Sequence, residues 1–407
     1  LRLYSLHLFG TIVLSMLVVC IALGGGYQLN EHSARAVGMG GAFVARASDP
    51  SAIFYNPAGL AFQEGVNVMG GGTIILPSTK FKHSSGAFPE IEQEDQMYYP
   101  PNLYGTYAID NQWVIGIGVF TPYGLGSEWN KDWIGSAFAV KTEVQTFYIN
   151  PTVSYKISDQ LSVGAGFSYI YGTVDLSRRI PITAYGVNGT LKLDGTGTGY
   201  GFNAGILYKP SEKLSFGASY RSLTELEFSG DAVFSDMGPA AGLFPGGSGK
   251  ATLPMPANIF VGAAYKVSCD LTVEADFQYV GWSSYDELVI NLPSGASKQE
   301  KNWDDGYLGR IGAEYQLSKE FALRAGVVYD ITGQPASKME PMLPDADRID
   351  PSIGFSYNLT DQLSVDVAYM IVLFSERTST YVEAGTQFGG TYNSNAHLFC
   401  LDIGYSF

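Results

Sequence analysis

The sequence predicts an all-β fold, a 14-stranded antiparallel transmembrane β-barrel with an N-terminal plug in its lumen. Three observations carry this. Gly (49), Tyr (27) and Phe (23) are abundant among 407 residues, which suits many strands, tight turns and interfacial aromatic belts. After residue 65 one unit repeats: an alternating strand, a short Asp/Asn/Ser/Lys turn, a second strand, then a long polar stretch. The chain stops on an aromatic, Phe407, at the end of an alternating strand.

The strand count follows from the connections. Six short turns lie at 110–112, 158–160, 210–213, 268–270, 318–320 and 360–362. Between them are seven longer segments, 76–99, 122–139, 174–196, 228–254, 284–303, 332–348 and 376–394. Thirteen connections join 14 strands, an even number as bacterial barrels require. The phase is clear in several strands. Leu161, Val163, Ala165, Phe167, Tyr169 and Tyr171 share one face, and so do Leu363, Val365, Val367, Tyr369, Ile371 and Leu373. The opposite face carries Arg221, Glu274, Asp276, Arg310, Glu314, Arg324 and Asp366. Arg310 is expected to pair across strands with Glu274. Closure satisfies every backbone group in lipid. Strands of about ten residues exceed the usual length in a soluble sandwich.

Charge and motifs exclude other classes. With 24 basic against 39 acidic residues, the net charge of −15 argues against a nucleic-acid partner. Cys20, Cys269 and Cys400 form no metal cluster or disulfide scaffold, and the four histidines are scattered. No Gly-x-Ser-x-Gly elbow or catalytic set occurs, so no enzyme, cofactor or metal is expected.

The N-terminus divides in two. Arg2, the apolar run 11–23 and the small residues after it read as a secretory signal over 1–25. Residues 26–62 break the barrel repeat: Ala, Gly and Ser dominate, with Asp49-Pro50 and Asn56-Pro57 as turn signals. Short helices are expected at 33–37 and 51–54, and close backbone packing at 38–41. Fourteen strands enclose more space than side chains fill, so this segment belongs in the lumen. The barrel then occupies 63–407.

Three stretches resemble one family. They are Gly26-Tyr27-Gln28-Leu29-Asn30-Glu31, the Gly-rich run after it, and Asn56-Pro57-Ala58-Gly59-Leu60. Together with the strand count and Phe407 they are similar to the FadL family of outer-membrane transporters of long-chain fatty acids, some of which carry toluene and similar hydrocarbons. The resemblance implies a monomer in the Gram-negative outer membrane, among lipid and lipopolysaccharide, inserted by the assembly machinery through Phe407. It implies passive uptake of a hydrophobic molecule, gated by the plug (the hatch), with sideways exit through a kinked third strand. Long-chain fatty acid is the default cargo, and an aromatic or aliphatic hydrocarbon is the alternative.

Site roles follow from that resemblance. Asn56, Pro57 and Ala58 are the hatch signature, a turn that holds the plug or takes part in transport. Tyr27, Gln28, Leu29 and Asn30 are its movable N-terminal gate. Phe120, Pro122, Tyr123, Leu125, Trp129 and Trp133, facing Phe234, Leu243 and Phe244, would form an outer hydrophobic groove, unless these loops pack on themselves as a cap. Gly116 and Gly118 mark the candidate wall kink. Arg221, Arg310 and Arg324 either grip a carboxylate or form lumen ion pairs that support the hatch. A general porin would not need the plug, and an adhesin would not need both plug and aromatic loops.

Overall fold

The structure, a computed structural model, describes residues 25–293, 295–383 and 386–407. The expected signal therefore lies outside the described residues, save Gly25.

Fourteen strands form the wall. They are β1 (Val66–His83), β2 (Pro101–Ala108), β3 (Trp113–Phe120), β4 (Lys141–Ser158), β5 (Leu161–Ile182), β6 (Val187–Ser211) and β7 (Leu214–Arg221), followed by β8 (Asn258–Lys266), β9 (Leu271–Val280), β10 (Gly306–Gln316), β11 (Phe321–Ile331), β12 (Arg348–Asn358), β13 (Leu363–Phe374) and β14 (Gly390–Ser406). Each pairs antiparallel with the next. β14 pairs with β1 from Asn67–Ser406 to His83–Gly390, which closes the sheet and removes its edges. The tight turns fall where the sequence places them. Asp110, for example, closes the β2–β3 turn by accepting the Gln112 and Trp113 amides at 2.7 and 2.8 Å.

Alternation sets inside and outside. In β5, Ala165, Phe167 and Tyr171 are exposed while Ser162, Ser168 and Ile170 are buried. Trp113 and Tyr155 meet at 4.5 Å near the short turns. Six residues up β4, about 20 Å away, lie the level of Tyr169 and its neighbour Tyr200. Two aromatic rings at that spacing bracket a membrane-thick apolar band.

The long segments differ from expectation. β5 and β6 run 22 and 25 residues, about twice what a crossing needs. Most of the expected loop 174–196 is thus a hairpin standing above the membrane, and 76–83 belongs to β1. The segment 228–254 falls within a second hairpin, Thr224–Ser235 with Gly247–Met255. Segment 284–303 contains a third, Glu287–Leu292 with Gly295–Glu300. Their polar outer faces gave the appearance of loops, yet period-two alternation persists: Val174, Leu176, Leu191 and Leu193 all turn apolar side chains inward.

Residues 27–62 fill the lumen. Helix α1 (Ala34–Val37) starts at Ser33, whose hydroxyl accepts the Ala36 amide, and α2 (Ala52–Tyr55) leads into a 3-10 turn, Pro57–Phe62. Gly40 has φ +65°, and a Cβ there would sit 2.8 Å from the Val327 amide nitrogen. Only glycine allows this approach of plug to wall.

Candidate transport path

The plug is held by wall side chains that reach its backbone. The Asp276 carboxylate accepts the Phe43 and Val44 amides at 2.8 and 3.0 Å. Glu274 accepts Ala45 (2.7 Å), the Ser352 hydroxyl accepts Gly40 (2.9 Å), and Asp402 accepts Ala34 (2.5 Å). Farther along the plug, wall groups donate: Ser162 to the Ala58 carbonyl at 2.8 Å, Ser219 to Tyr55 at 2.7 Å and Asn203 to Ile53 at 3.1 Å. An irregular buried backbone needs such partners.

Charges reinforce this seat. Glu314 binds Arg35 and Arg46 of the plug and Arg324 of the wall, and Arg324 also reaches Asp366 at 2.8 Å. Arg310 stands opposite Asp276, not Glu274 as the sequence suggested, and donates to Gln278. Arg221 lies over the rings of Phe54, Phe120 and Tyr148 at 5.0, 5.2 and 5.8 Å and donates to the Phe54 carbonyl. All three arginines are buried against the plug or beside it.

The signature residues belong to the same seat. Asn56 accepts the Ala58 amide at 3.2 Å and donates to the carbonyls of Val44 (2.9 Å) and Ile206 (3.1 Å). Pro57 begins the 3-10 turn, where a missing N–H costs nothing. His32 packs 4.2 Å from the Phe54 ring, and its Nε2 lies 3.0 Å from the Leu29 carbonyl. Burial drives the His32 pKa down to about 3, so the ring is neutral in ordinary conditions.

The plug's first residues meet a break in the wall. β3 stops at Phe120, and the strand Gly124–Glu128 resumes on β4. Pairing with β2 ends at Leu103–Val119. Residues 98–100 bond instead to β1, through Thr73 and Ile75. On the β3 side, the Leu29 amide donates to Pro122 O and the Gly124 amide to Tyr27 O, both at 2.9 Å. The plug thus takes bonds that a wall neighbour would take. The break sits at Thr121–Tyr123, where proline lacks a donor, and not at Gly116 and Gly118. Those glycines are paired without interruption, and a Cβ on either would press on Ile53 of the plug at 3.0 Å.

Three cavities with shared wall residues lie beside this break. An inner one of about 110 Å³ lies beside Tyr27 and is walled by Val144, Val174, Leu193, Phe228, Leu288 and Ile290. An outer one of about 80 Å³ shares Leu176, Leu193, Leu288 and Ile290 with it. The wall gap, about 700 Å³, shares Leu125, Val144, Met342 and Leu343 with the inner cavity. Met342 lines all three. At the start of the plug Asp345 is buried and accepts the Gly26 amide at 2.7 Å, and burial lifts its pKa to about 6.

The expected outer groove is dispersed. Phe120 and Tyr123 are buried against the plug, where Tyr123 donates to the Pro256 carbonyl at 2.7 Å. Pro122 lies in the break and Leu125 beside the cavities. Trp129 and Trp133 stack at 4.3 Å and bond through their indole nitrogens to Pro341 O and Ala139 O. With Phe81, Phe388 and Tyr392 they form a second core that caps the barrel. Phe234 and Phe244 pair at 5.5 Å at a hairpin tip, and Leu243 is exposed beside them. Trp129 and Trp133 pack within the loops, and mainly aliphatic side chains of the raised hairpins line the cavities. Of the expected gate, Tyr27 borders the inner cavity and Leu29 the gap. Gln28 and Asn30 are buried, Gln28 in an amide cluster with Asn258 and Gln278.

Comparison with known proteins agrees with this architecture. The model of the family described as outer membrane protein transport protein (OMPP1/FadL/TodX) matches residues 15–407. The chain belongs to the FadL family. A curated FadL-family relative, the long-chain fatty acid transport protein of Escherichia coli O6:H1, is 26% identical, with 97% of this chain and 98% of the relative covered. Outer membrane protein P1 of Haemophilus influenzae is also 26% identical, over 95% and 97%. Among solved structures, a Pseudomonas aeruginosa FadL homologue superposes with TM-score 0.86 at 22% identity, covering 94% of this chain and all of that one. The Pseudomonas putida toluene transporter TodX gives TM-score 0.73 at 19% identity, over 94% and 99%. FadL-family membership makes the chain a multi-pass outer-membrane transport protein rather than an enzyme, and its apolar cavities suit hydrophobic small molecules.

Proposed function

We propose that this FadL-family protein takes up small uncharged hydrocarbons, toluene-like in size, which pass from the outer to the inner cavity and leave through the wall gap. The inner cavity carries this reading. Apolar cavities of about 150 Å³ bind benzene; this one, about 110 Å³ with aliphatic and aromatic walls, takes a single ring only if its walls shift, and is far too small for a long acyl chain. None of Arg221, Arg310 and Arg324 lines it, and its charged edge holds Asp194 and Asp231 against Lys250, with Glu340 already paired to Lys301. That edge repels a carboxylate and is indifferent to a hydrocarbon. Each Å² of apolar surface buried there is worth about 25 cal/mol. Leu125, Val144, Met342 and Leu343 support sideways exit, because they line both the inner cavity and the gap.

Long-chain fatty acid is the second reading. It is favoured by Lys141 and Arg178 in the lining of the outer cavity and by the named activity of the curated relatives. Initial uptake of labelled toluene and labelled oleate, in a Gram-negative strain lacking its own fatty-acid porter, separates the two. Toluene uptake well above the empty-vector strain, without oleate uptake, is expected. Oleate uptake at or above the toluene level overturns the hydrocarbon reading.

A further inference from the structure

We propose that the Tyr98 ring is the outer leaf of the wall gap and sets the size of molecule that leaves through it. This rests on the sideways-exit reading above and adds the residue that would gate it.

The gap has two banks. One is residues 97–101, bonded to β1; the other is residues 121–128, bonded to β4 and the plug. Below, the banks join at Leu103–Val119. Above, they join where the Glu94 amide donates to Glu128 O at 2.9 Å and the Gln96 side chain to the Glu128 carboxylate at 3.1 Å. Between these ties, among the described residues, no backbone pairing crosses the gap. One large side chain does cross. Tyr98 lies across Gly126, and a Cβ at Gly126 would overlap its ring. Both residues line the gap.

The two halves of Tyr98 are held differently. Its backbone is fixed by paired hydrogen bonds with Ile75, at 2.8 and 3.0 Å. Its hydroxyl has no protein hydrogen-bond partner among the described residues, and its ring stacks on no other ring. The ring therefore turns on its Cα–Cβ bond while the wall stays in place, and such rotations are fast compared with transport. Gly126 supplies the flat seat: with no Cβ it lets the ring lie against backbone. The hydroxyl end of the ring is the part that rests on Gly126, so the apolar body of the tyrosine spans the gap. The inner bank of the gap, Leu29 and Gly124, belongs to the plug contact. Tyr98 and the plug terminus thus close the gap from opposite sides.

The test compares uptake of toluene and naphthalene by the full-length protein in the porter-deficient strain. Surface-exposed, heat-modifiable barrel is checked for every variant. Tyr98→Ala is expected to raise the naphthalene-to-toluene uptake ratio about tenfold, while Tyr98→Phe, which keeps the ring, leaves it within about twofold of the native value. Gly126→Ala, which displaces the ring without removing it, is expected to move the ratio in the same direction as Tyr98→Ala and serves if the latter does not assemble. A third variant, Leu125→Arg, places a charge between cavity and gap. If it abolishes uptake of both compounds while Tyr98→Ala and Gly126→Ala keep the native ratio, Tyr98 is not the gate, although the exit stands. If Leu125→Arg transports at the native rate, the exit reading itself fails and the gate with it.

Discussion

The lower and upper lumen are built on opposite principles. Below, polar wall groups such as Asp276, Glu274, Asn203 and Ser162 grip the plug backbone, and Glu314 gathers three arginines. Above, aliphatic side chains of raised hairpins face one another across small cavities, and contacts are non-directional. Directional bonds fix one arrangement, whereas apolar walls accept a guest of roughly the right size. The comparison teaches that the path proposed above does not require the plug to be ejected. The plug body is a fixed floor, and only its first residues touch both cavity and wall gap.

Disruption of the floor should have the largest effect. Glu314→Ala leaves Arg35, Arg46 and Arg324 clustered and short of a partner, which should cost about 3–5 kcal/mol. A lower melting temperature and new sensitivity to hydrophilic antibiotics are expected; an unchanged melting curve breaks the contrast between the two regions. Asn56→Ala removes three hydrogen bonds, and about 2–3 kcal/mol should be lost with a similar leak.

Acid should act on the floor through His32. Its folded pKa, about 3, lies below the ordinary value of 6.5, so the released plug takes up a proton that the seated plug refuses. Stability is therefore lost as pH falls from 6.5 towards 3, by about 2–3 kcal/mol at pH 4.5. His32→Phe should flatten that part of the melting-temperature profile; a profile identical to the native one would sink the assignment. The smallest transport effect is expected at the cap. Trp133→Ala should destabilise the loop core by about 3 kcal/mol, yet change toluene uptake less than twofold. A tenfold loss of uptake would restore the tryptophans to a binding groove.

The barrel was legible because lipid and closure impose a strict period of two. Ala165, Phe167 and Tyr171 could face only outward once Ser168 faced in, and each tight turn carries its own Asp, Asn or Ser signal. The plug was legible as the stretch that broke the repeat. Above the membrane the same logic weakened. Val174, Leu176, Leu191 and Leu193 alternate, but their outer neighbours are polar because they meet water, so strands there read as loops. The residues expected in one groove are dispersed for a related reason. Large aromatics such as Trp129 and Trp133 suggest binding, but an extracellular loop also needs a core, and sequence does not say which partner a ring will find. The break at Thr121–Tyr123 carried a signal in Pro122, a residue without a donor just past the end of β3, but abundant glycines drew attention to Gly116 and Gly118 instead.

The central claim is that cargo moves sideways while the plug body stays seated. Ser162 and Ala58 touch through a 2.8 Å hydrogen bond, one in the wall and one in the plug. Cysteines at both positions, in a Cys269→Ser background, can be joined by oxidation or a short crosslinker and released by a reductant or by cleavage of the linker. The account predicts that toluene uptake in the joined state stays within about twofold of the released state. Uptake that vanishes on joining and returns on release would mean that the plug must leave its seat, and would contradict it.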